Sequence, residues 1–284
     1  MSKIGIEPPT WIPVGELAEA FEGKSNILPP TAELKGMDLR LHFENGWIIE
    51  HKFATARRLL WRETSGAGRK QWTDETYLAT KVREGIYFID FLEHLERATT
   101  VSLALDLKAG IVTAVIGQLP TRTETKEGIL DRAIKGKELT SVKTTFLSGS
   151  VNKAFDRVKT SRHSKTDELV GKRIEYTYSP TERYEHIYLN RSFYTWHCLE
   201  GAERKEGIGL TDTDRCHYYK LRERLYLFVW REKIIPTLGV VIVDLDKMRS
   251  SGKIFGYEGN DFGKLSNFPV GARARLLARI LRQD

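Results

Sequence analysis

Hydrophobic and polar positions alternate along most of this chain with a period of two, and the alternation is densest in residues 172–232. Arg173-Ile174-Glu175-Tyr176-Thr177-Tyr178 leads into the polar turn Ser179-Pro180-Thr181-Glu182-Arg183, and Tyr184-Glu185-His186-Ile187-Tyr188-Leu189 returns. Tyr194-Thr195-Trp196-His197-Cys198 and Leu225-Tyr226-Leu227-Phe228-Val229-Trp230-Arg231-Glu232 follow. Aromatic and β-branched runs bounded by polar or Gly-rich turns predict an antiparallel meander. Residues i and i+2 of a strand share a face, so Tyr176 points with Tyr178, and Tyr226 with Phe228 and Trp230, a face that Glu232 continues. If both faces look into one barrel, its interior holds two phenols near a carboxylate, groups that can bind and protonate a small polar molecule. The plainer reading of alternating aromatics is core packing.

The same period recurs upstream. Leu39-Arg40-Leu41-His42-Phe43 and Trp47-Ile48-Ile49-Glu50-His51-Lys52-Phe53 flank Asn45-Gly46, a hairpin signal because both residues tolerate positive φ. Strands are predicted at 59–62, 76–82, 85–93, 100–106 and 111–117. Residues 1–35 are Pro-rich, with a short helix over Val14–Phe21. Beyond 120 the alternation fades, apart from a helix near Ile129–Ile134 and a strand near 142–147, and residues 151–170 read as a polar linker. In 271–282, Ala274, Leu277, Ala278 and Leu281 stand at helical spacing with arginines at the end, which predicts a closing helix.

The two stretches are copies. Leu41 and Tyr176 lie 135 residues apart, while Tyr87 and Tyr226, Glu93 and Glu232, and Gly117 and Gly256 each lie 139 apart. Near-constant offsets over these landmarks predict an all-β chain of two tandem lipocalin/calycin-like antiparallel β-barrels with short flanking helices. The expected division is a Pro-rich segment at 1–35, a first barrel at 36–119 extending to about 150, the linker at 151–170, and a second barrel with its helix at 171–284. With Leu41 and Phe43 in place of the tyrosines, the first barrel is expected to be the filled partner and the second to hold the ligand.

Composition changes this picture little. The 284 residues include 45 basic and 38 acidic ones, a net charge of +7, but the basic residues are scattered among acids, so no nucleic-acid groove is expected. Two cysteines, Cys198 and Cys216, make no disulfide framework. No signal-peptide pattern and no apolar run long enough for a membrane span are seen, so a cytoplasmic protein that contacts no membrane is expected. P-loop, G-x-G-x-x-G, Cys-x-x-Cys, His-x-x-x-His and Gly-x-Ser-x-Gly patterns are absent. No metal site and no cofactor are therefore expected; Asp212 and Asp214 suit a turn better than a calcium ion.

The second half resembles MoaF-type proteins, through Tyr176-Thr177-Tyr178, Tyr184-Glu185-His186, Thr195-Trp196-His197-Cys198, Thr211-Asp212-Thr213-Asp214 and Trp230-Arg231-Glu232-Lys233. Proteins of that type are described as tandem calycin-like barrels. Both halves are also similar to phenolic acid decarboxylases, cofactor-free lyases on a single barrel. The first half keeps Asn45-Gly46-Trp47, Glu84-Gly85-Ile86-Tyr87 and Glu93; the second keeps Tyr176-Thr177-Tyr178 and Glu232. The carboxylate-binding arginine of those enzymes has only off-register counterparts here, Arg69 in the first half and Arg204 or Lys205 in the second. These resemblances imply a cofactor-free lyase acting on a small aromatic or carbonyl-bearing molecule inside the second barrel. Glu232 would shuttle a proton, with Tyr176 and Tyr178 on an anionic oxygen. His186, Trp196, His197, Trp230 and Tyr226 would line the substrate. The alternative is a non-catalytic, lipocalin-like small-molecule binder built on the same residues. Single-barrel relatives pair as dimers, which implies that the tandem halves mimic such a pair; a homodimer of the chain is left open.

Overall fold

In the computed structural model, which describes residues 11–21, 25–66, 70–201 and 208–279, the period-two segments close into two barrels. The first consists of β1 (Asp38–Phe43), β2 (Ile48–Phe53), β3 (Arg58–Glu63), β4 (Thr73–Arg83), β5 (Ile86–Glu93), β6 (Thr99–Asp106), β7 (Ile111–Gln118) and β8 (Lys143–Val151). Every neighbouring pair is antiparallel, and β8 returns to β1 with Leu41 opposite Val151. After β9 (Ser164–Lys165), the second barrel consists of β10 (Lys172–Thr177), β11 (Arg183–Tyr188), β12 (Phe193–Glu200), β13 (Thr211–Arg222), β14 (Leu225–Glu232), β15 (Thr237–Asp244), β16 (Arg249–Glu258) and β17 (Asp261–Arg279). Pairing of β12 with β13 completes its ring, and β9 adds to the outer edge of β13. Closure removes the strand edges that a tandem meander would otherwise expose.

The two barrels share one register. His51 faces Trp61 as His186 faces Trp196; Leu59 faces Glu75 as Tyr194 faces Asp214; Phe91 faces Val101 as Trp230 faces Gly239. Copies that agree pair by pair in this way place equivalent residues at equivalent heights inside each barrel, so the interiors can be compared position by position.

The expected closing helix is a strand. Within the described residues, β17 bonds β16 on one side and β10 on the other, with Gly271 opposite Ser251 and Ala274 opposite Tyr176. Val270 and Ala272 are buried while Arg273 and Arg275 are exposed, a period-two pattern lying beneath the helical spacing of the alanines and leucines. A helix there would leave β10 and β16 unpaired, and the ladder bonds of two strands outweigh a weak helical preference. Residues 280–284 lie outside the described part. The stretch read as a linker is also tied down: His163 is buried and its Nδ1 meets Thr113 Oγ1 at 2.9 Å, while β9 pairs with β13. The short helices expected at Val14–Phe21 (α1) and Ile129–Ile134 (α2) are present.

The barrels pack against each other through β5, β6, β14 and β15, whose residues are buried on both faces. Phe88 and Ala104 from the first barrel and Leu227, Val240 and Phe255 from the second belong to one apolar cluster. This contact is approximately self-complementary. Arg83 makes a bidentate fork to Asp244 at 2.6 and 2.8 Å, and Arg222 makes the equivalent fork to Asp106 at 2.6 and 2.8 Å. At its centre lies a buried lysine. Lys253 Nζ donates to Thr100 Oγ1 at 3.0 Å and stands 3.6 Å from Asp90, and burial pushes its ammonium down to about 8.

Candidate functional site

Each barrel holds a hollow at the same height, at the end where β5 and β14 finish. In the second barrel, β14 presents Trp230 and Glu232 inward, β11 presents Tyr184 and His186, β12 presents Trp196 and Cys198, and Tyr178 follows β10. Trp230 Nε1 donates to Glu232 Oε1 at 2.9 Å, and Trp196 Nε1 donates to Asp214 Oδ2 at 3.0 Å. Burial, reinforced by Asp214, raises the Glu232 carboxyl to about 8; burial and Asp212 likewise raise Asp214. Lys233 bonds Asp212, and its backbone N–H reaches Asp214 Oδ1 at 3.1 Å. This aspartate pair is thus held by a lysine and an indole. Among the described residues no group of His, Cys, Asp and Glu suits a metal ion. Burial lowers His186 to about 3 and raises the phenols of Tyr176 and Tyr178 well above their ordinary range. At neutral pH the hollow is therefore lined by uncharged donors.

Of the residues singled out in the sequence, Glu232, Tyr178, His186, Trp196 and Trp230 meet around this space. Three do not. Tyr176 lies deeper, its hydroxyl 2.7 Å from that of Tyr188. His197 follows the inward Trp196 and so points outward, 3.7 Å from Glu185. Tyr226 shares a face with Trp230, but six residues of strand separate it from Glu232, roughly 20 Å at about 3.3 Å each. Its hydroxyl donates to Glu168 at 2.6 Å at the far end of the barrel.

The second hollow is small, about 70 Å³. Tyr188, Tyr194, Tyr218 and Phe228 fill the barrel beneath it in edge-to-face and stacked pairs, with Phe228 4.9 Å from Tyr194 and 5.6 Å from Tyr218. From above, residues 11–21 cover the mouth. Phe21 stacks on Tyr178 at 4.8 Å, and Trp11 meets Trp196 edge-on at 6.0 Å.

The first hollow encloses about 600 Å³. The expectation of a filled first barrel and a roomy second one is reversed, and register-matched side chains supply the reason. Leu59, Ala79, Ile89 and Phe91 stand where the second barrel has Tyr194, Tyr218, Phe228 and Trp230. One pair runs the other way, Tyr77 against Cys216. The walls are Phe43, Ile49, Phe91, Val101, Leu103 and Ile116, with Trp61 and His51 among them. A polar mouth carries Glu63, Glu93, Glu96, Gln118 and Lys143. Lys143 is bonded to Glu124 at 2.7 Å, and Glu63 accepts from the Ser65 hydroxyl at 3.0 Å. His51 is buried, which lowers its imidazole to about 4. Arg69, Arg204 and Lys205, the sequence candidates for a carboxylate-binding cation, lie outside the described residues.

Among these lining residues, sequence self-similarity pairs Phe43 with Tyr178 and Glu93 with Glu232. The 135-residue offset that joins Leu41 to Tyr176 also carries His51 to His186 and Trp61 to Trp196.

Comparison with known proteins fits this duplicated design. The pattern of the MoaF N-terminal domain matches residues 9–121, and that of the MoaF C-terminal domain matches residues 163–280. The chain belongs to the MoaF family. Protein MoaF of Klebsiella aerogenes is 42% identical over 267 residues, spanning 94% of this chain and 95% of that one. A crystal structure from Burkholderia vietnamiensis, named for a beta-lactamase, is 16% identical with a TM-score of 0.31, covering 38% of this chain and 95% of that one. A likeness that slight carries no argument. Among the described residues of this MoaF-family chain, no helix is long and apolar enough to cross a membrane.

Proposed function

We propose that this protein binds a small, largely apolar organic molecule inside its first barrel. The observation that carries this reading is the difference in room at one register position: about 600 Å³ in the first barrel against about 70 Å³ in the second. Hollows of several hundred Å³ with mostly apolar walls and a few polar groups are the usual form of small-molecule sites. Titration of the full chain with N-phenyl-1-naphthylamine, whose fluorescence rises in apolar surroundings, tests this. Saturable binding is expected in the native chain. It should be lost in Ala114→Trp, which projects an indole from β7 into the hollow. Binding that persists unchanged in Ala114→Trp refutes the assignment.

One observation favours a second reading, a cofactor-free lyase in the second barrel. Glu232 remains protonated at neutral pH beside Tyr178 and His186, as a general acid requires. A space of about 70 Å³ has no room for an aromatic metabolite unless residues 11–21 lift away. Loss of ultraviolet absorbance from a hydroxycinnamic acid incubated with the native chain, abolished in Glu232→Gln, is the outcome this reading requires. A native chain that leaves the absorbance unchanged removes it.

A further inference from the structure

The matched registers expose one polar difference between the two hollows. In the second barrel the indole N–H of Trp196 is satisfied by Asp214, whose other oxygen takes the backbone N–H of Lys233. In the first barrel Glu75 stands where Asp214 does, and it takes the equivalent backbone N–H, that of His94, at 3.2 Å. His94 Nδ1 also lies 2.8 Å from Glu75 Oε1. The indole of Trp61 is left without a carboxylate: its Nε1 is buried and meets no hydrogen-bond partner among the described residues. Directly across the strand pair, His51 is 4% exposed; the Ile49 backbone carbonyl lies near its imidazole, yet its Nδ1 is buried without a well-formed hydrogen bond, as is that of His186 in the second barrel.

Two unmatched polar atoms on adjacent strands, both on residues lining an apolar hollow, are costly unless something else completes them. A buried polar group without a partner has given up its water without a replacement. An indole N–H can only donate, whereas a neutral imidazole can donate or accept.

The geometry points to Trp61 and His51 as a paired hydrogen-bonding clamp that selects ligands bearing an uncharged oxygen acceptor, such as a ketone, aldehyde or ester carbonyl, at the end that enters the barrel. This rests on the first hollow being the ligand site, and it names the ligand class that the hollow prefers. A carbonyl oxygen has two lone pairs, one for Trp61 Nε1–H and one for His51 when Nδ1 carries the proton. The aliphatic and aromatic walls take the rest of the molecule. A hydrocarbon of the same shape leaves both nitrogens unmatched. A carboxylate would have to shed its hydration in a site where neither donor is charged, which disfavours it.

Calorimetric titration of the full chain with 2-acetylnaphthalene and 2-ethylnaphthalene tests this, because the probes have nearly one shape and only the first carries an oxygen. The ketone is expected to bind at least tenfold more tightly, equivalent to about 1.4 kcal/mol. Trp61→Phe should remove most of that preference by weakening the ketone alone, and His51→Phe should reduce it. Equal affinities of the native chain for the two probes overturn the clamp, and that comparison depends on no variant folding. A preference that survives in both variants overturns it as well. If neither probe binds, or both still bind Ala114→Trp, the first hollow is not the ligand site, and the clamp falls with that reading.

Discussion

The first barrel places Leu59, Ala79 and Ile89 where the second places Tyr194, Tyr218 and Phe228, and the strand pairing around them is otherwise the same. With backbone geometry held constant, side-chain volume at a few inward positions separates a hollow of about 600 Å³ from one of about 70 Å³. The second barrel has used its interior for packing: its rings stack on one another, the Tyr176 and Tyr188 hydroxyls pair, and residues 11–21 cover its end. The first barrel leaves the Trp61 indole N–H unmatched among the described residues where the second pairs that of Trp196, while one imidazole nitrogen is unmatched in each, on His51 and His186. An aromatic-rich strand can therefore mean a filled interior, and its plainer copy can be the open one.

The comparison breaks most sharply at residues 101 and 239. A Cβ added to Gly239 would come within 2.1 Å of the Trp230 ring, while the first barrel holds Val101 opposite the smaller Phe91. Gly239→Val should cost about 3 kcal/mol in urea unfolding, because the added side chain overlaps the Trp230 ring and the hollow beside it holds only about 70 Å³. Val101→Gly, facing open space, should cost only about 1–2 kcal/mol. Similar costs at the two positions would mean that the interiors are not as different as described.

Phe228→Ile, which copies the first barrel's Ile89 into the second, should cost about 2 kcal/mol and enlarge the second hollow, as seen in a crystal structure of the variant. Next come the two inter-barrel forks. Arg83→Ala and Arg222→Ala each strand a buried aspartate and should each cost about 1–2 kcal/mol, a figure discounted because both guanidinium groups reach solvent. Arg83→Ala should be the worse of the two, since its side chain is 20% exposed against 43% for Arg222.

A further effect concerns pH. Glu232 ionises near 4.5 when unfolded and near 8 when folded. Between those values the native chain holds a proton that the unfolded chain has released, so stability falls as pH rises. The urea midpoint should therefore drop from pH 5 to pH 8, and Glu232→Gln should flatten the drop. A variant with the same slope as the native chain would show that Glu232 is not held protonated.

Much of this architecture could be read from the residues. Period-two alternation and offsets of 135 to 139 residues specified two copies, and the inward parity of Trp196 and Trp230 specified which rings share an interior. That same parity placed His197 outside, a consequence easily passed over when adjacent His and Trp are read as one motif. Strand length placed Tyr226 at the far end from Glu232. The closing strand was hidden because alanine, leucine and arginine suit a helix locally, and only the need of β10 and β16 for a partner decides otherwise. Which barrel is hollow depends on volumes summed across strands distant in sequence. Tyr218 fills the second barrel only because Tyr188 and Phe228, from other strands, pack against it.

The central claim is that the first barrel takes a ligand and the second is closed by its own side chains. A crystal structure of the full chain soaked with 2-acetylnaphthalene tests it directly. The probe should lie within the first barrel, its oxygen against Trp61 and His51, with the second barrel unchanged. A probe found among Tyr178, Trp196 and Glu232, with the first barrel empty, would contradict the account.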